Sequence, residues 1–435
     1  MEWLSAAEAA ARLGVKPATL YAYVSRGVLS RRRSPAGRSV FDAADVELLA
    51  RRGRPRRPVG VSEVVIESAI TALGADRPFY RGRDALELAA WARFEAVAQW
   101  LWTGDPAALD ARDGDRERAG SAAEADGASG PEPAGARDAR PEAAGTLAGG
   151  GPGALWVASA EGLAAGRAAQ SGLPDGTLPL ERLQVVVPAL AATDPLKGNL
   201  APDAVVALGH RLIAGMVDSL PGPAVDGDLA TRLAARLAGR PLPGALAAAV
   251  RAGLVLLADH ELASSTLSAR VAASVRADPY AAVAAGLAAT SGALHGGASL
   301  GAEAMIAEAV ERSRAGEVLA LRLRRGERIP GFGHSVYRSG DGRAAALFEA
   351  IRRVAPGHPA LAAADALMAA ASRGRVPAPN VDLALATLTR VAGMPIGAGE
   401  AIFGVSRAAG WLAHAMEEYA HRTDLRLRAV YIGHD

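Results

Sequence analysis

The chain has 435 residues, half of them hydrophobic but only 4% aromatic, with 48 Lys and Arg against 46 Asp and Glu and no Cys. These numbers exclude a uniformly polybasic or polyacidic chain, a disulfide scaffold, Cys-ligated zinc or iron–sulfur sites, and a cysteine nucleophile. A core filled with Ala, Leu and Val in place of rings favours closely packed helices, so the expected fold class is mainly α. The length predicts two or three domains. No run of about 18 uncharged apolar residues occurs, and the first residues lack a basic segment followed by a long apolar core. The expectation is a soluble, cytoplasmic protein with no membrane partner.

Residues 1–58 carry twelve Lys and Arg against five Asp and Glu, a formal +7, which leaves −5 for the remainder. Ser5 and Glu8 have the spacing of a capping box. It opens a short helix with Ala7, Ala10, Ala11 and Leu13 on one side. Gly14 supplies a turn, and Pro17 suits the first position of a second helix over ATLYAYVSRG. Arg31 to Arg33, the turn Pro35-Ala36-Gly37 and the run Arg38 to Phe41 read as a two-stranded basic wing, and Asp42 as the cap of a third helix. Residues 1–52 resemble the MerR/excisionase-type winged helix-turn-helix. That resemblance implies that the second helix enters a major groove, with Lys16, Thr19, Tyr23 and Arg26 as DNA contacts. DNA is thus a candidate partner of residues 1–58. The competing reading is a small helical domain whose arginines are only solvated. Residues 53–59 form a basic linker.

Residues 60–106 return to apolar periodicity. The stretch 107–153 is Ala, Gly, Pro and mixed charge, too poor in large apolar side chains to offset its ordering entropy, and is expected to be a disordered insertion. Helical patterning resumes near Trp156 and is clear after Leu183, with no fixed-period repeat and no clear run of strands.

Nucleotide-binding, metalloprotease and serine-hydrolase motifs are absent. What remains is three clusters near the C-terminus, each a turn with ionisable groups: Gly292-Ala293-Leu294-His295-Gly296-Gly297, Pro330-Gly331-Phe332-Gly333-His334 followed by Asp341-Gly342-Arg343, and Pro379-Asn380-Val381-Asp382. Glycines open the main chain to a close ligand. An aspartate can remove a proton alpha to a carbonyl while imidazoles donate to developing oxyanions. Arginines dock carboxylates through paired N–H groups.

Five phrases, ADHELASSTLSARVAAS, GALHGGAS, RIPGFGHSVYRSGDGR, PNVDLAL and FGVSRAAGWLAHAMEE, together with an upstream YRG region, resemble the citrate synthase family. The resemblance covers residues 60–105 and 180–435. It implies a two-domain helical fold, with a large domain from 60–106, 154–297 and 391–435, and a mobile small domain over 298–390. Asp382 then matches the base that removes a methyl proton from acetyl-CoA. His295 matches the donor to the thioester oxygen, and His334 the donor to the oxaloacetate carbonyl. His260, Arg343 and Arg407 match oxaloacetate contacts. Arg426 matches an arginine supplied by the partner subunit, which implies a homodimer with shared active sites. Pro330, Gly331 and Gly333 match main-chain contacts to CoA. The implied reaction is condensation of acetyl-CoA with oxaloacetate to citrate and CoA, with no metal and no cofactor beyond the CoA substrate.

Three positions depart from the family, as does the run Leu383-Ala384-Leu385 after Asp382, where the family has a more polar and aromatic run. Ala263 replaces an Asn, Gly342 replaces a Pro and so is expected to loosen the loop carrying Arg343, and Ser335 stands where Arg is frequent. Two other functions stay open: a 2-methylcitrate synthase using propionyl-CoA, and a DNA-binding regulator with a synthase-like sensing body. His210, His358, His421 and His434 are read as structural or solvated, and His414 as packing. The run Arg322, Arg324, Arg325 and Arg328 is either a CoA phosphate contact or a solvated helix end.

Overall fold

The computed structural model describes residues 3–13, 20, 24, 29–33, 39–43, 45–46, 66–110, 156–312, 314–374, 376–421 and 425–426. The chain divides into two compact units, Met1–Glu67 and Ser68–Asp435.

In the first unit, Glu8 accepts from the Ser5 amide at 2.8 Å and donates its own amide to Ser5 Oγ at 3.3 Å, so the capping box forms as read. Helix Ala6–Leu13 follows, but its buried residues are Ala9 and Ala10, with Ala6 and Leu13 half-buried and Ala7 and Ala11 exposed. The apolar side therefore follows the i, i+3, i+4, i+7 rule from Ala6, and the face read from the sequence is corrected by one position. Strand Ser39–Asp42 pairs antiparallel with Arg32–Arg33, as the wing predicts, and also with Trp3–Ser5, which was not foreseen. Leu4, Leu20, Leu29, Phe41 and Val46 fill a small core with the two alanines. Lys16, Thr19, Tyr23, Arg26 and the linker 53–59 lie outside the described residues.

The second unit opens with a three-stranded antiparallel sheet, Thr71–Leu73, Pro78–Tyr80 and Arg83–Asp84. These strands were not read from the sequence. Two- and three-residue strands are too short to show alternation. Asp84 then caps helix Ala85–Trp91 through the Leu86 amide at 2.8 Å. The expected insertion begins later than residue 107. Asp105 accepts from the Ala107 amide at 3.0 Å, and Ala107–Asp110 is a helical turn with Leu109 buried. Residues 111–153 lie outside the described residues.

Beyond it the described chain is helical. Helices Pro179–Ala192, Pro202–Ser219, Gly244–Leu257, Ser264–Ser274 and Pro279–Thr290 pack around the 23-residue helix Ala398–Ala420, which is buried along nearly its whole length. Helices Ala298–Arg312, Ala315–Arg324, Gly342–Val354, Pro359–Arg373 and Val381–Val391 pack largely on one another. Small residues set these approaches. At Gly286 an added Cβ would stand 2.5 Å from the Trp411 ring. Among the described residues no helix is long and apolar enough to cross a membrane.

Candidate active site

Helix Gly244–Leu257 ends at a tight turn. Asp259 Oδ2 accepts from the Glu261 amide at 3.2 Å, and Glu261 takes a left-handed φ of 52° that a non-glycine residue rarely adopts. Between them His260 is buried, with Nε2 at 3.0 Å from the Tyr337 hydroxyl. Burial first, then the charges of Arg343 and Arg407, hold its pKa well below the ordinary value, so the ring is neutral.

The glycine-rich loop is fixed by pairing with the segment before Asp382. Gly333 N–H donates to Ala378 O at 2.8 Å, Asn380 N–H to Gly331 O at 2.9 Å, and Asn380 Nδ2 to Gly333 O at 2.9 Å. Gly331 has φ 78°, and a Cβ there would lie 2.8 Å from Leu383 Cβ. This pairing presents His334. Its Nδ1 accepts from the amides of Val336 at 3.0 Å and Tyr337 at 3.2 Å. Two amide donors place the ring proton on Nε2, against one looser contact of 3.3 Å between Nε2 and Arg343. Burial lowers the His334 pKa to about 4. Its ring stacks on Tyr337 at 4.7 Å and meets His260 edge-on at 5.3 Å. Gly333, His334, Tyr337, Arg338 and Asp341 face Pro377–Pro379 across a cleft of about 200 Å³.

Arg343 is buried, held by Asp341 through Nε at 3.0 Å and Nη2 at 2.9 Å. Asp341 Oδ2, which takes Arg343 Nη2, also accepts from the Val381 amide at 3.0 Å. Gly342 does not loosen this loop. Its N–H donates to Asp76 O at 2.8 Å, and a Cβ would meet Asp76 O at 3.0 Å and Leu86 at 3.1 Å. The expectation failed because the close partner, Asp76, lies far away in sequence.

Asn380 caps helix Val381–Val391 and accepts from the Asp382 amide at 3.0 Å, which places Asp382 in the first turn. A helix N-terminus favours an anion. Burial opposes it and wins over the attraction of Arg343 and Arg407, pushing the Asp382 carboxyl up to about 6. Arg407, on the central helix, donates Nε to Leu257 O at 2.8 Å, while its buried Nη1 has no hydrogen-bond partner among the described residues. Such an orphan donor suits an anionic ligand. Burial lowers the Arg407 pKa to about 10, so it stays charged at neutral pH. Arg407 stacks over Phe403 at 4.6 Å, and Phe403 meets His295 edge-on at 5.4 Å. His295 is held by Ser265 Oγ at 2.7 Å from Nε2, and burial lowers its pKa to about 4.

His260, His334, Arg343 and Asp341 thus touch directly, while Asp382 and His295 both feel the charge of Arg407. Tyr337 and Ser265 were missed in the sequence. Tyr337 stands three residues after His334, and Ser265 follows the HE pair, but neither spacing distinguishes them from packing residues. Pro330 packs against Gly301, and the polar main-chain atoms of Gly331 and Gly333 named above are taken by the neighbouring segment. Arg426 is exposed, and among the described residues no contact ties it to the others. His210 bonds Gln99 at 2.8 Å and His358 caps Ala360 at 3.1 Å, both structural as read. Arg322 is paired with Glu308 at 2.8 Å.

Residues 160–428 match the family described as citrate synthase, C-terminal domain, and residues 3–54 match a helix-turn-helix domain. Citrate synthase 2 of Bacillus subtilis is 38% identical over 189 residues, 42% of this chain and 50% of that protein. The chain therefore spans about half the length of that relative. A 2-methylcitrate synthase of Mycobacterium tuberculosis is 30% identical over 278 residues, 60% of this chain and 70% of that protein. Among solved structures, citrate synthase of Thermoplasma acidophilum, in ternary complex with carboxymethyl coenzyme A and oxaloacetate, superposes with a TM-score of 0.64 at 22% identity, covering 87% of this chain and 95% of that one. Citrate synthase of Pyrobaculum aerophilum gives 0.65 at 22% identity, covering 93% and 95%. Likeness at that identity establishes the fold.

Proposed function

Because the chain belongs to the citrate synthase family, we propose that it condenses acetyl-CoA with oxaloacetate and hydrolyses the product thioester to citrate and CoA. The observation that supports this is a set of neutral imidazoles and an aspartate, whose carboxyl is pushed up to about 6, that all lie within the fields of the buried arginines Arg343 and Arg407. Asp382 takes a proton from the thioester's methyl carbon, and His295 donates to the oxygen of the resulting enol. The enol carbon then bonds to the oxaloacetate carbonyl carbon, and His334 donates from Nε2 to the oxygen that becomes the hydroxyl. Water cleaves the citryl thioester and CoA leaves as the thiol. His260, Arg343 and Arg407 hold the dicarboxylate, with the unpaired Arg407 Nη1 reaching a carboxylate oxygen. Pro330, Gly331 and Gly333 line the CoA side. Residues 298–390 close over the substrates as a small domain. The chemistry is acid–base throughout and calls for no cofactor. Arg426 completes the site of the partner subunit in a homodimer, and the protein works in the cytoplasm. Residues 1–58 bind DNA through the helix-turn-helix.

The test is release of the CoA thiol from acetyl-CoA and from propionyl-CoA, each with and without oxaloacetate. Oxaloacetate-dependent release from acetyl-CoA is expected, and none from either thioester refutes the reading. A 2-methylcitrate synthase is the second reading, favoured by the longer match to the Mycobacterium tuberculosis protein. One extra methylene in an apolar pocket shifts preference by only about 1–3 kcal/mol, so the two thioesters need side-by-side comparison.

A further inference from the structure

Beneath the turn that carries His260 runs a buried charged relay. Arg270, fully buried, donates from Nε to Glu418 Oε1 at 2.6 Å and from Nη1 to Glu417 Oε2 at 2.6 Å. Nη1 also faces His414 Nδ1 at 2.8 Å. A guanidinium only donates, so Nδ1 must accept and the imidazole proton sits on Nε2. Glu417 lies 3.8 Å from Nδ1, too far to compete for a proton there. His414 Nε2 then donates to Asp259 Oδ2 at 3.2 Å. That oxygen is also the acceptor for the Glu261 amide, at the residue with φ 52°. The relay therefore ends on the strained turn whose middle residue is His260. His414 and Asp259 are both fully buried, and ionic partners on both imidazole nitrogens are a costly arrangement for a residue that only fills space.

We propose that His414 is a positioning residue for oxaloacetate: as the Nε2–H tautomer selected by Arg270, it holds the Asp259 carboxylate where it caps the turn, and so fixes the His260 ring against Tyr337 and the ligand. This rests on the reading of His260 as an oxaloacetate contact, and it replaces the packing role read for His414 in the sequence.

In steady-state condensation by the full chain, His414→Leu is expected to raise the oxaloacetate KM about tenfold or more, with the acetyl-CoA KM within about twofold of the parent. His414→Gln offers one donor and one acceptor and is expected to recover most of that loss. An unchanged oxaloacetate KM in a folded Leu variant, or parallel changes in both KM values that track lowered thermal stability, would overturn the proposal. The Leu variant strands two buried charges, so a second measurement uses the unaltered protein: the ring nitrogen shifts of His414 by NMR. The neutral Nε2–H form is expected. The Nδ1–H tautomer or an imidazolium would overturn the relay whatever the variants do. A parent protein that releases no CoA in the presence of oxaloacetate counts against the catalytic reading alone, since the tautomer is decided separately.

Discussion

Acidity shifts of opposite effect distinguish the candidate base from the two candidate donors. Burial pushes the Asp382 carboxyl up to about 6, near the pH at which it must work as a base, and brings the His295 and His334 rings down to about 4. At neutral pH the aspartate is ionised and both imidazoles are neutral hydrogen-bond donors, the protonation states that the proposed enolisation would require. The turnover number should therefore fall as pH drops through about 6, where Asp382 takes up its proton. The two histidines add no limb between about 5 and 8 because they stay neutral across that range. Asp382→Asn should lower kcat by about 10²–10⁴ with small changes in either KM, as measured by CoA release. The same variant should be more stable than the parent. A carboxyl whose pKa is raised by folding favours its neutral form, so its ionisation at pH 7 costs stability that is absent below the ordinary carboxyl pKa. Thermal unfolding should show a gain on the order of 1–3 kcal/mol at pH 7, shrinking as the pH falls towards about 4. A variant that loses both activity and stability would mean that Asp382 is structural.

The central helix Ala398–Ala420 carries Phe403 and Arg407 one turn apart and His414 two turns further on, and its approach to the His260 turn depends on one missing side chain. Gly410 N–H donates to Ala258 O at 3.0 Å, and a Cβ at Gly410 would stand 2.5 Å from that oxygen and 2.9 Å from Asp259 Cβ. Gly410→Ala gains helix propensity of about 1 kcal/mol, but the added methyl would overlap the Ala258 carbonyl, which cannot rotate away, as well as the Asp259 side chain. The expected result is a net loss of about 2 kcal/mol or more in thermal unfolding, together with a raised oxaloacetate KM because the 258–261 turn is displaced. What was legible at this scale was local. The Ser5–Glu8 box and the long apolar helices follow from spacing of a few residues. What was not legible depends on partners far along the chain. Asp76 behind Gly342, Asp259 beside His414 and Ser265 beside His295 sit 30 or more residues from those partners, and no periodicity encodes such pairs.

At the scale of the molecule, the proposed catalytic set corresponds to three short phrases, but no spacing in the sequence signalled that Tyr337 would bridge His260 and His334. One further candidate residue stands apart. Arg426 is exposed, six residues past the end of the central helix, whereas Arg343 and Arg407 are buried. Under the proposed homodimer, such a surface arginine would serve the cleft of the partner subunit. In a two-fold dimer the exchange is reciprocal, each chain lending Arg426 and receiving one. This makes a sharp test from two inactive proteins. Asp382→Asn and Arg426→Leu homodimers should each show little turnover, because every site in either lacks one group. Unfolded together and refolded as a mixture, half of the dimers carry one chain of each kind. In such a dimer one site bears both lesions and the other bears none, so the mixture should regain roughly 25% of parent activity. If Arg426 instead served its own chain's site, each site of the mixed dimer would still carry one lesion and no activity would return.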